Sequence, residues 1–250
     1  MANFHDGEIA PDQRCEGGAK AAPLQPFFRK AGTHRIVDVM FDAPAASARF
    51  DPLERAKAAY REEGDGGAAR ELRELARCIV PTALKGQPFF TDNARNLFVG
   101  IAIRIIMDDS IPEEQKTVMS VAAAIAPLGE QSALDRIAAL VSGLPAGHPA
   151  LPFLSGINGE FGGAPGVVST LATYLSEYAD GNVAAHAPRR RVRPRPPRRG
   201  ADGLLRLVQL RDPATTSGLV QTFVAQALSA LRVCAARHAG RCPVTSVLVL

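Results

Sequence analysis

FFTDNARNLFVGIAIRII, residues 89–106, is the stretch whose reading decides the fold of this 250-residue chain. Ala94, Leu97, Phe98, Ile101, Ile105 and Ile106 recur at spacings of three and four, giving an apolar stripe wide enough to bury against several neighbours. Thr91 can cap the start, and Asp92 then falls in the first turn, where a carboxylate favours the exposed N–H groups and the macrodipole. The pattern predicts the central helix of a packed domain. Arg104 ends the apolar run that begins at Leu97, well short of the roughly 20 residues a bilayer span requires.

Working outward, helical signals continue on both sides. Upstream, Pro52 stands at the start of a helix over 53–62, the glycines of 64–67 break it, and a second helix follows over 68–84, carrying Leu72, Leu75, Ala76, Ile79, Val80 and Ala83. Downstream, Ser110 can cap a helix with Pro112 in its first turn and Glu113 and Glu114 near its N-terminal end. Val118, Val121, Ala122 and Ile125 form its apolar face. Ser132 can cap a helix through Val141, 143–152 is a turn-rich link, and 153–163 reads as loop or one short helical turn. Over 165–180, Val167, Val168, Leu171, Tyr174, Leu175 and Tyr178 share one helical face, with Gly181 as the stop. Residues 54–183 therefore read as an all-α domain of five or six helices.

The two ends differ from this middle. Residues 1–27 have no clear period and several breakers, and are read as irregular. Residues 35–42, RIVDVMFD, are rich in β-formers between breakers and predict a short buried strand. Residues 184–217 read as an Arg/Pro-rich irregular linker, 219–239 as a helix, and 244–250 as a second buried strand.

Composition bounds the function. The 46% hydrophobic content and near-zero mean hydropathy fit a soluble globular protein. The lack of Trp argues against aromatic platforms for single-stranded nucleic acid. Cys15, Cys78, Cys234 and Cys242 form no CxxC pair and are read as reduced thiols of a cytoplasmic protein. His5, His34, His148, His186 and His238 show no metal-ligand spacing. The polar opening, with His5, Asp6, Glu8 and Asp12, is no signal peptide. Charge is uneven: residues 1–187 carry 17 basic and 23 acidic side chains, whereas residues 188–250 carry 12 and 2.

Three segments together resemble the coupling proteins of type IV secretion systems, the conjugative DNA-transfer ATPases. These are FDPL at 50–53 after a strand, FFTDNARNLF at 89–98, and GVVSTLATYL at 166–175 ahead of Gly181-Asn182-Val183. The resemblance spans roughly 28–185, with a weaker continuation over 220–231 and 243–250; the family commonly has Trp where Phe90 stands. It implies an α/β, mostly helical chain: a fragment of a RecA-like P-loop NTPase domain with an inserted all-α domain. On that view 28–53 and 218–250 are parts of the nucleotide-binding domain and 54–183 is the insert. The family implies a bacterial, membrane-anchored hexamer at the cytoplasmic face of the inner membrane, using ATP and magnesium. Its partners are relaxosome or secretion substrates, components of the secretion channel, single-stranded DNA and further copies of itself.

The family's chemistry is missing from these residues. No GxxxxGK[ST] occurs, and Gly17-Gly18-Ala19-Lys20 has the wrong spacing and no hydroxyl after the lysine. An acidic pair to hold magnesium and activate water would follow the strand at 244–250, where the sequence stops. The N-terminal membrane helices that anchor the family are also absent, and the chain as given is expected to stay in the cytoplasm. No catalytic, cofactor-binding or metal-binding residue is therefore assigned, and an enzymatically inactive chain is expected. The adjacent pairs Glu62/Glu63, Asp108/Asp109 and Glu113/Glu114 point apart on a helix and read as helix ends and solvated faces.

One basic cluster remains: Arg189, Arg190, Arg191, Arg193, Arg195, Arg198 and Arg199. A dense cationic run draws phosphates by counterion release, and its prolines would hold it extended. The excess of 24 Arg over 5 Lys instead fits GC-rich coding, which read out of frame yields such Arg/Pro runs. A frame-shifted segment, a solvated linker and a nucleic-acid site all stand. The functional alternatives to a degenerate coupling protein are a stand-alone helical interaction module and an Arg-rich nucleic-acid binder.

Overall fold

The computed structural model describes residues 35–40, 49–82, 88–127, 129, 131–157, 163–176, 178, 191–192, 203–208 and 213–240. In chain order the elements are β1 (Arg35–Met40), β2 (Arg49–Phe50), α1 (Glu54–Ile79), α2 (Pro88–Met107), α3 (Val118–Ile125), α4 (Ala133–Ser142), α5 (Leu151–Leu154), α6 (Ala164–Ser176), β3 (Arg191–Val192), β4 (Gly203–Val208) and α7 (Pro213–Arg237). The described residues are mostly helical, as the periodicity predicts. It divides into two units, Met1–Arg49 with Pro194–Leu250, and Phe50–Arg193.

The helical unit is built on α2. Ala94, Leu97, Phe98, Ile101, Ile105 and Ile106, the predicted stripe, are all buried, and so are Val99, Ala102 and Ile103. A helix apolar on all sides belongs inside a core, and α2 packs against α1, α3, α5 and α6. Each Leu, Ile or Phe so enclosed contributes about 1.5–3 kcal/mol relative to exposure.

The start of α2 differs from expectation. Pro88 takes the first helical position, where its missing N–H is no loss and its fixed φ suits the helix. Thr91 is thus inside the first turn and is no cap: its hydroxyl donates to the Pro88 carbonyl at 2.9 Å. Asp92 lies past that turn and pairs with Arg95 at 2.8 Å.

Two glycines let neighbours close on this core. A methyl group on Gly100 would stand 2.6 Å from the Leu154 side chain, so the short helix α5 can lie across α2 only because that position is bare. A methyl on Gly166 of α6 would stand 2.6 Å from the Phe90 ring.

In α1 the glycine break holds. At Gly64 the backbone leaves helical geometry, with φ 74° and ψ −159°, and the helix turns back. Arg55 and Glu71 meet across the bend at 2.7 Å, whereas 16 residues of straight helix would set them about 24 Å apart. α1 ends at Ile79, short of the expected 84, since Pro81 biases Val80 out of the helical region. Arg95 closes that end, donating to the Val80 carbonyl at 2.8 Å and to the Thr82 hydroxyl at 2.9 Å.

After α2 the expected helix begins later than its Ser110 and Pro112 signals imply. Ser110 instead folds onto Asp108, and Glu113–Gln115 forms one turn of 3-10 helix. The Thr117 side chain then caps α3, accepting the Ser120 N–H. Ser132 does cap α4, as expected, and Asp135 returns the bond to complete a capping box. At the two ends of this unit, β2 and β3 are hydrogen-bonded neighbours, so the chain arrives and departs side by side.

In the other unit, β1 runs parallel to β4 with Arg35 opposite Gly203 and Met40 opposite Val208. A strand was expected at β1. β4, β3 and the first residues of α7 all lie in 184–217, expected to be irregular: the Arg/Pro content of that segment hides a six-residue strand whose hydrogen bonds come from far upstream in sequence. α7 starts at Pro213, again with proline at the first position, and buries Leu219, Phe223, Ala230 and Cys234 along one face. The expectations for residues 1–27 and 244–250 lie outside the described residues.

Candidate functional site

The first turn of α1 holds the largest buried polar cluster among the described residues. Asp51, Glu54, Lys57 and Lys116 are all nearly inaccessible, with Lys57 2% exposed. Asp51 Oδ1 accepts the Leu53 N–H at 3.0 Å, turning the chain into the helix. Its Oδ2 accepts from Lys57 Nζ at 2.7 Å. The same ammonium donates to the Lys116 carbonyl at 3.0 Å and stands 3.6 Å from Glu54 and 3.7 Å from Glu113. Arg61 reaches Glu54 at 3.4 Å and Glu113 at 3.5 Å.

Lys116 carries the connection to the core helix. Its Nζ donates to the Ile106 carbonyl at 2.8 Å, in the last turn of α2, where acceptors outnumber intrahelical donors and a cation complements the dipole. The cluster therefore ties the first residues of the unit, the link after α2 and the end of α2 into one polar knot.

Chemically this is a clasp. Lys57 Nζ has two partners at bonding distance, the Asp51 carboxylate and the Lys116 carbonyl, with Glu54 and Glu113 just beyond. At 2% exposure and with its partners this close, the Lys57 side chain is out of reach of a substrate. Breaking a buried pair of this kind is costly even where the pair adds little net stability.

The sequence pattern missed this cluster, although it held a signal. Lys57 lies four residues after Leu53 and next to Ala56, both buried, so it interrupts the apolar stripe of the helix. A charge inside a stripe implies a partner there, and Asp51 and Glu54 precede it at spacings of six and three.

The adjacent acidic pairs do not form paired-carboxylate sites. Glu63 binds Arg70 at 2.8 Å, and Asp108 pairs with Arg104 at 3.3 Å. Bonds from the Ser110 side chain and backbone hold the Asp108 carboxyl below its ordinary range. The Ser132 hydroxyl and N–H do the same for Asp135. Burial, with Glu74 nearby, pushes the Cys78 thiol up, away from a reactive thiolate. No group of three His, Cys, Asp or Glu side chains suited to a metal occurs among the described residues.

Of the predicted basic cluster, Arg191 lies in β3; Arg189, Arg190, Arg193, Arg195, Arg198 and Arg199 lie outside the described residues. The helix at Gly218–Arg237 is long and apolar enough to cross a membrane by length and composition, with a mean hydropathy of 1.4 over its most apolar window. Comparison with protein-family models and with curated proteins gives no match to this chain.

Proposed function

We propose that the chain is a degenerate coupling protein of a type IV secretion or conjugation system, comprising a helical domain and parts of a RecA-like domain and lacking ATPase activity. The observation that carries this reading is the division of the chain. β1 and β4 pair in parallel, a geometry that demands a crossover, and the chain between them includes the whole helical unit, whose own ends are neighbours at β2 and β3. An all-α domain inserted into a parallel-sheet domain has that form.

The three resembling segments also have related tasks within the helical unit. FDPL supplies Asp51 and Leu53 to the clasp and the core, FFTDNARNLF supplies the core helix, and Gly166 of the third segment receives the Phe90 ring of the second. Lack of ATPase activity is supported by the absence of GxxxxGK[ST] from these 250 residues.

Two measurements test the reading. Purified protein given ATP, magnesium and single-stranded DNA is expected to release no phosphate above a buffer control; turnover would overturn the inactive assignment. Expressed in conjugating donor cells, the chain is expected to lower transfer by occupying substrates unproductively. Unchanged transfer at high expression would count against the coupling-protein assignment and favour a helical module with other partners.

A further inference from the structure

We draw no further inference here: the strongest candidate, the surface of α7 at which the apolar side chains Leu228 and Val233 stand exposed, carries nothing because nothing in the structure shows what covers it.

Discussion

Lys57 sits where the helix pattern calls for an apolar side chain, and its surroundings make that tolerable: a carboxylate at 2.7 Å, a carbonyl at 3.0 Å and two further carboxylates within 4 Å. Lys57→Met keeps much of the volume but takes the cation from among three acidic groups. It is expected to cost about 3–5 kcal/mol, read as a lowered urea midpoint with little change in slope. Ser132→Ala should be milder, about 1 kcal/mol for the lost cap. It should also raise the Asp135 pKa toward the ordinary carboxylate range, because the Ser132 hydroxyl is the first cause of its depression. The sign follows from linkage: a carboxylate held low in the folded chain adds stability above its unfolded pKa, and that contribution disappears as pH falls through the folded value. Carboxyl-carbon NMR titration of wild type and variant checks both the direction and the acid-side window.

At the scale of elements, the packing of α2 depends on bare positions as much as on filled ones. Gly166→Ala places a methyl 2.6 Å from the Phe90 ring. It is expected to destabilise by about 1–3 kcal/mol, as overpacking does. Phe90→Leu in the same chain should relieve part of that cost, so a double-mutant cycle should return a coupling beyond about 0.5 kcal/mol. Additive costs would mean that the two residues do not constrain each other. Much of this layer was legible in the sequence: the stripe from Ala94 to Ile106, the break at Gly64 and the Ser132 cap follow from local periodicity and capping chemistry. The start of α2 was misread because Thr91 is a good cap residue, while Pro88 competes for the first position without needing a hydrogen bond. β4 was hidden for a different reason. A parallel strand's hydrogen bonds come from a partner distant in sequence, and the arginines and prolines before it set the apparent character of the segment.

For the whole molecule, the clasp shows what a one-dimensional pattern does not carry. Lys57 in the first turn of α1 and Lys116 beyond α2 are 59 residues apart in sequence, and only the closed helical unit brings the Lys116 carbonyl to the Lys57 ammonium. Under the proposed function partner recognition falls to the helical unit, which includes Arg191 in β3, and the arginines around β3 supply non-specific phosphate contacts. Replacing Arg189, Arg190, Arg193, Arg195, Arg198 and Arg199 with Ala, which keeps the β3 residues Arg191 and Val192, is then expected to weaken salt-sensitive oligonucleotide binding alone, since such cationic runs act by counterion release, and to leave partner capture intact. Gly100→Leu, which forces a side chain into the space of Leu154, should abolish capture by opening the core of the unit. The most direct measurement is binding of the purified chain to a relaxase joined to its transferred strand, in wild-type, Gly100→Leu and six-arginine-substituted forms. Saturable binding by the wild type and the six-arginine variant, and none by Gly100→Leu, is expected; no binding by any form, or binding lost only in the six-arginine variant, would contradict the coupling-protein reading.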